Sequence, residues 1–386
     1  MTTRRTFLKL VGGGVILAAA GATWVATRTP ATARDPWLEA AEPPTGERAS
    51  DVRRFALSYA ILAPNPHNMQ PWIADLSEPD AVRLYCDPAR KLPETDPYDR
   101  QTVIGLGCFS ELLAMAANAA GYSVDVIPFP EGEPQPRLDE RPVARFVFRK
   151  DEDAAVDPLF RHVTDRRTNR EAFDTARPVA NESLERMLQS VRSSDAGFTN
   201  DEKRVADLRE FSWSAMEVEL YTPRVYQESV DVMRVGSREM DRNPDGIAVD
   251  GPMIELLAAA GLISHKDLAD VSSITFEQGL PLIRVSFETA MAFAWMSTAG
   301  NTRRDQLAAG RDYIRLHLAA TGEGLALQPF SQALQEYPEM AGHYAAIRKK
   351  LAIDDGATLQ MFVRLGYGSS IEPSPRWPYD SRIEHA

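Results

Sequence analysis

The 386-residue chain carries 43 Lys and Arg against 55 Asp and Glu, a formal net charge of -12. That balance argues against a nucleic-acid binder, because neutralising phosphates and releasing their counterions needs a basic surface. Hydrophobic residues at 44% supply a substantial core, two cysteines (Cys86 and Cys108) exclude a disulfide framework, and six scattered histidines lack metal-ligand spacing.

The chain opens Thr3-Arg4-Arg5-Thr6-Phe7-Leu8-Lys9, continues uncharged from Leu10 to Ala26, and reaches Ala31-Thr32-Ala33. A basic start, an apolar run and a small-residue cleavage site are the layout of an export signal, and the paired arginines match its twin-arginine form. Residues 1–33 are therefore read as a twin-arginine (Tat) signal peptide, with the Tat machinery as partner. The alternative is an uncleaved membrane anchor, since the apolar run lies near the lower limit for spanning a bilayer. Either reading places the folded part outside the cytoplasm, in the periplasm or otherwise exported.

From Asp51 to Leu62, Val52, Phe55, Ala56, Tyr59 and Leu62 recur at helical spacing. The helix delivers the chain to Ala63-Pro64-Asn65-Pro66-His67-Asn68-Met69-Gln70-Pro71-Trp72, which Pro64, Pro66 and Pro71 prevent from continuing it. Such a loop is rigid and aims its side chains. Asn68 and Gln70 each carry a donor beside an acceptor, suiting the polar edge of a uracil-like ring, and Trp72 and the prolines offer flat walls. A plain Pro-rich surface loop is the competing reading. Trp72 to Asp75 and Val82 to Cys86 read as strands, Gln101 to Ala120 as a buried helix ended by Gly121, and Tyr122 to Phe129 as a further strand. The acidic, proline-rich stretch from Pro128 to Pro142 reads as a surface connection.

Asp165-Arg166-Arg167-Thr168-Asn169-Arg170-Glu171-Ala172-Phe173-Asp174, ahead of a helix-compatible run, gathers guanidinium forks and a hydroxyl suited to a phosphate. A solvated basic patch is the alternative. Farther on, Gly310 to Gly322 repeats the layout of Gly107 to Gly121, a Leu- and Ala-faced helix ending at glycine, and each is followed by a strand-like run, Val124 to Phe129 and Leu325 to Gln328. This weak repeat implies two copies of one α+β unit about an approximate two-fold axis. Between them, residues 223–283 are Met-rich and helical in pattern, with Pro244-Asp245-Gly246 as a turn. Met233, Met240 and Met253 suit a mobile cover over an apolar pocket or, more simply, core packing.

The loop pattern Pro-x-x-x-Asn-x-Gln-Pro-Trp resembles the flavin-binding loop of the nitroreductase superfamily, and its His-Asn form is similar to the Acg-like FMN-binding branch. The Arg-Arg-Thr-x-Arg segment resembles the motif that begins nitroreductase subunits. The resemblance implies an α+β nitroreductase-like fold in which two fused half-copies, residues 34–150 and 151–386, form an intrachain pseudo-dimer with a lid insertion at 223–283. It implies FMN held by Pro64, Asn65, His67, Asn68 and Gln70 of the loop. Arg166 and Thr168 would take the phosphate, Arg170 would lie at the pyrimidine edge, and Arg376 would complete the phosphate site. Pro329, Ser331 and Gln332 match the segment facing flavin N5, and residues 362–368 the closing strand. One loop and one Arg-rich motif in a duplicated chain imply a monomer with one composite site.

The function implied is an FMN-dependent oxidoreductase that passes two electrons to a small-molecule acceptor such as a nitroaromatic or quinone. No metal and no catalytic side chain are expected, because the flavin would supply the chemistry. The sequence holds no G-x-S-x-G and no recognisable Cys-His pair. The alternative is a flavin-storage protein whose lid keeps turnover low.

Overall fold

Two long helices, Arg100–Ala119 and Arg303–Gly322, cross at the centre of the molecule, with a β-sheet on each side of the pair. The structure is a computed structural model that describes residues 32–385, so the reading of residues 1–33 as a signal peptide falls almost wholly outside the described residues. The crossing is close because Gly107 and Gly310 meet there. A Cβ on Gly107 would come within 2.2 Å of the Leu307 carbonyl oxygen, and one on Gly310 within 2.0 Å of that of Ile104. Backbone atoms cannot yield as a flexible side chain can, so the approach requires glycine on both helices. The Cys108 thiol adds a 3.2 Å contact to the Gly310 carbonyl oxygen.

Polar groups fix the register of this pair. Glu111, buried on the first helix, receives Arg311 and Arg315 from the second, and Arg192 from outside. Thr302 and Asp305 form a capping box at the start of the second helix. The buried Arg303 guanidinium then donates to the carbonyls of Tyr98, Pro134 and Pro136.

In chain order the first strands are β1 (Trp72–Asp75), β2 (Ala81–Cys86), β3 (Tyr122–Pro128) and β4 (Ala144–Lys150). The second half contributes β5 (Asp195–Thr199), β6 (Met233–Val235), β7 (Ile247–Val249), β8 (Ala292–Thr298), β9 (Ala326–Pro329), β10 (Thr358–Gly366) and β11 (Ile383–His385). The first sheet runs β11-β1-β2-β4-β3 and the second β5-β8-β10-β9, while β6 and β7 make a small parallel pair. All neighbours in the two large sheets are antiparallel except β1 and β11. The C-terminal strand thus completes the sheet of the first half, and a boundary at residue 150 is crossed by the chain's own end. Strand β10 is buried along its whole length, as expected of a strand covered on both faces.

The α+β architecture agrees with the sequence pattern, and the physical causes are local. Asp51 caps the helix Val52–Ala60 by accepting from the Arg53 amide, Pro64 bars its continuation, and Gly121, at φ 80°, ends the helix Arg100–Ala119. Two expectations are corrected. Residues 128–142 do more than connect, since Phe129 and Leu138 enter the core and the carbonyls of Pro134 and Pro136 hold Arg303. No helix follows the Arg-rich segment directly. Thr168 and Phe173 form single bridges to Leu327 and Gly368, which keep the segment extended, and the next helix begins at Asn181.

The crossing yields a direct test. Gly310→Ala should lower the unfolding free energy by about 3 kcal/mol or more, through overpacking against backbone. Gly342 lies in the helix Ala341–Lys350 with nothing within 4 Å of its missing Cβ, so Gly342→Ala should be neutral or stabilising by up to about 1 kcal/mol. Denaturant midpoints that move equally in the two variants would show that the crossing does not demand glycine.

Candidate functional site

The loop after the first helix is bound by its own side chains before anything else touches it. Asn65 donates through Nδ2 to the Ala63 carbonyl at 3.1 Å and accepts the Gln70 amide at 2.7 Å. His67, Asn68 and Gln70 take φ values of 45°, 56° and 52°. Three non-glycine residues in the left-handed region within four positions are strained, and such strain persists only where the surroundings impose it. The surroundings are distant in sequence. Gln70, fully buried, donates to the Pro244 carbonyl at 2.7 Å and accepts the Trp377 amide at 3.0 Å, while Gly246 donates its amide to the Asn68 carbonyl. Arg90 holds the Met69 carbonyl and the Asp245 carboxylate, and the Trp377 indole also donates to Asp245. Asp245 is partly desolvated by burial, yet hydrogen bonds from Trp377 and Arg90 hold its pKa below the usual carboxylate range. From below, Gly105 admits the loop, since a Cβ there would lie 2.9 Å from the Asn65 Cβ.

Beside the loop, three guanidinium groups are gathered without an acid. Arg166, 2% exposed, donates to the Leu62 carbonyl at 2.9 Å. Arg376, also 2% exposed, donates to the carbonyls of Ile61, Leu62 and Ala63, to Ser374 and to the Asn68 side-chain oxygen. Arg167 donates to the carbonyls of Thr164 and Arg166. All three lie against one indole, with guanidinium carbons 5.5, 4.8 and 5.3 Å from the Trp37 ring for Arg166, Arg167 and Arg376. Among the described residues none of the three pairs with a carboxylate, and the Nε groups of Arg166 and Arg167 have no partner. Burial pushes Arg166 down to about 10 and Arg376 well below its ordinary value, and in Arg376 the neighbouring arginines add to the effect. A buried, uncompensated cluster of this kind is a site for an anion.

Trp37 reaches the cluster from a short strap, residues 32–41, pinned at several points. The Ala33 amide donates to Asp241, the Ala33 carbonyl accepts from the Arg376 amide, Arg34 pairs with Asp250, and the Trp37 indole donates to the Ser374 carbonyl. Arg170 lies beside His67, whose ring is desolvated within the loop. Arg170 is exposed at the surface, and desolvation of its inner side lowers its pKa. The His67 Nδ1 has no partner, and burial first, with Arg170 second, pushes its pKa down to about 4.

Of the residues expected at the site, Pro64, Asn65, His67, Asn68, Gln70, Arg166 and Arg376 form one connected group, with Arg170 beside His67. Thr168 stands at the edge of β9 through its bridge to Leu327. Pro329 ends β9, Ser331 precedes the short helical turn Gln332–Leu334, and Gln332 lies against the buried carboxyl of Glu219. The expectation that Asn68 and Gln70 offer free carboxamides to a ring edge is corrected. The Asn68 carboxamide is engaged by Arg376 and by the Pro375 carbonyl, and Gln70 by Pro244 and Trp377. Both therefore position the loop. Asn68 also accepts from Arg376, which shares the Leu62 carbonyl with Arg166, so the loop and the arginine cluster are joined directly. Trp37 and the Arg90–Asp245–Trp377 clamp carried no local signal in the sequence. Two surface clefts, of about 530 and 420 Å³, lie elsewhere and are lined by none of these residues.

The molecule is thus a two-halved α+β protein with a buried basic site where the halves meet. No family model matches the chain. It is 24% identical over 347 residues to a Mycobacterium tuberculosis protein provisionally named NAD(P)H nitroreductase Rv3131, covering 87% of this chain and 92% of the relative. It is also 36% identical over 81 residues to the Mycobacterium tuberculosis protein provisionally named NAD(P)H nitroreductase acg, covering 21% of this chain and 24% of that one. Among solved structures, the FMN-dependent nitroreductase NfnB from Mycobacterium smegmatis in complex with NADPH is 18% identical, with a TM-score of 0.37 over 58% of this chain and 96% of that one. Its sequence relatives are thus proteins named as nitroreductases, similar to it over most of its length at 24% identity and over a shorter stretch at 36%.

His67 makes the loop pH-sensitive in a defined direction. Its folded pKa lies below that of the unfolded chain, so the unfolded state takes up the proton first as pH falls. Stability contributed by neutral His67 should be complete above about pH 6.5 and lost progressively toward pH 4, by at most about 3 kcal/mol. His67→Gln should flatten that part of the stability profile in chemical denaturation across pH 4 to 7. An unchanged slope in the variant would remove His67 from the buried side of the loop.

Proposed function

We propose that this protein is an FMN-dependent oxidoreductase of nitroreductase type, passing two electrons to a small electrophile such as a nitroaromatic or quinone. The observation that carries the reading is the arginine cluster: three guanidiniums around Trp37, without a carboxylate partner among the described residues and with two Nε groups free. A phosphate monoester supplies the charge and the acceptor oxygens that this donor set lacks. The relatives' names, NAD(P)H nitroreductase, support the same reading.

Bound FMN would supply the two-electron chemistry. Arg166, Arg167 and Arg376 would hold its phosphate, with Thr168 at the margin. Arg170 places a positive charge at the surface beside His67, where it favours an electron-rich ring edge. His67 is neutral at pH 7 and presents an unpartnered ring nitrogen beside it. The strained loop, held by Asn65, Asn68 and Gln70, sets where these groups point, and Pro329, Ser331 and Gln332 bound the far end of β9. Contributions from residues 61–70, 166–170 and 376 make the site composite, which supports one FMN per chain and a monomeric pseudo-dimer. The Arg4-Arg5 leader supports export by the twin-arginine route, and residues 223–283 supply the Pro244–Gly246 side of the loop clamp.

Titration of FMN into the flavin-free full chain should saturate at one per polypeptide, with the chain monomeric by light scattering. Arg166→Ala should weaken FMN binding by about one to two decades, the loss of a charge-assisted hydrogen bond of roughly 1.5–3 kcal/mol. Riboflavin, which has no phosphate, should be nearly indifferent to the change. Equal losses for the two flavins would assign Arg166 to the fold and withdraw the phosphate site.

A further inference from the structure

Ten large apolar side chains are exposed among the described residues, and Met253, Leu262, Val271, Ile274 and Leu282 bring half of them into one stretch. The helix Pro252–Ala259 within it has no buried residue, although Met253, Ile254, Leu256, Leu257, Ala258 and Ala259 make it apolar nearly all round. A helix of that composition ordinarily lies inside a domain or against a membrane. Glu255 is the only charged residue between Gly251 and Ser264. Its carboxylate is turned onto the body of the protein, where it accepts from the Ser237 amide at 2.6 Å and the Ser237 hydroxyl at 3.1 Å. An apolar exterior of this kind marks a contact surface.

The start of the strap identifies the contact. Ala33 donates its amide to Asp241, and Arg34 pairs with Asp250, which stands two residues before Pro252. Only residues 27–31 separate the strap from the uncharged run Leu10–Ala26, a gap that spans at most about 22 Å of extended chain. The apolar run and the apolar helix are therefore brought to the same side of the molecule. Ala33, the last residue of the small-residue cleavage site, is itself buried, with its amide and carbonyl both bonded, and Thr32–Arg34 form a helical turn. Proteolysis needs accessible chain, so a protein exported in the folded state protects this site.

We propose that the face formed by residues 32–34 and the helix Pro252–Ala259 lies on a phospholipid bilayer, to which the uncleaved leader also holds it. The contact is apolar, since a chain of net charge -12 gains nothing from anionic headgroups. It rests on the reading of the leader and not on what binds the arginine cluster.

The full chain with phosphatidylcholine vesicles tests this. Cys86 and Cys108 are buried, so an environment-sensitive fluorophore can be attached at Leu262→Cys alone. Its emission should shift to the blue when vesicles are added and be quenched by spin-labelled lipid, at a depth of about 5–10 Å below the headgroup boundary. The same probe at Val156→Cys, beside the 530 Å³ cleft, should stay in water. Met253→Asp in the Leu262→Cys background should reduce the quenching by about half or more, because a carboxylate resists burial in lipid. Leu262, Val156 and Met253 are all exposed, so these variants keep the fold. Arg166→Ala should leave the quenching unchanged, which separates this surface from the flavin reading. The proposal is overturned by absent quenching at Leu262, by equal quenching at Leu262 and Val156, or by a blue shift present before vesicles are added, as a second copy or the leader covering the helix would give. A chain recovered from the membrane fraction with Arg34 as its first residue overturns it as well.

Discussion

The contact of Gly107 with Gly310 is the constraint on which the rest of the structure depends. Two helix backbones meet there with no side chain between them, and the two sheets follow because each packs on its own helix. Gly105, two residues before the crossing, lets the Pro-rich loop lie on the same helix. The surface that joins the halves therefore also sets the height of the loop beside the arginine cluster. A larger residue at any of these glycines would have to move backbone, not merely rotate a neighbour.

The second feature that organises the molecule is electrostatic. Arg166 and Arg376 are buried without acids and donate instead to the carbonyls of Ile61, Leu62 and Ala63, at the end of the helix Val52–Ala60. Those carbonyls are unsatisfied by the helix itself and carry its partial negative charge, so they can accept arginine forks without neutralising them. Positive potential is left over, concentrated by burial and by the Trp37 ring that spaces the three cations. The same carbonyls begin the strained loop, and residues 244–246 and 374–377 clamp it. Anion site, helix end and loop are thus one hydrogen-bonded unit drawn from five separate parts of the chain.

Much of this was legible in the sequence. Helix Arg100–Ala119 followed from its apolar composition and Gly121, β1 to β3 from their residue patterns, and the rigid loop from Pro64, Pro66 and Pro71. Strand β4 was missed, because the residues before it read only as a surface connection. The helix expected after the Arg-rich segment was wrong because the bridges of Thr168 and Phe173 to Leu327 and Gly368 override local preference. Arg166 and Arg376 could be named in advance, the first from its cluster and the second by resemblance.

The sequence by itself determined the elements whose causes are local: where prolines stop a helix, where glycine ends one, and which runs are apolar enough to be buried. Tertiary structure alone decided what the polar side chains do. Asn68 and Gln70 look like ligand groups in isolation, but their carboxamides are committed to Arg376, Pro375, Pro244 and Trp377. Trp37 looks like nothing in particular until the strap is laid across three arginines. A hydrogen bond to a residue some 300 positions away leaves no trace in periodicity or spacing, because it depends on how the halves are folded together.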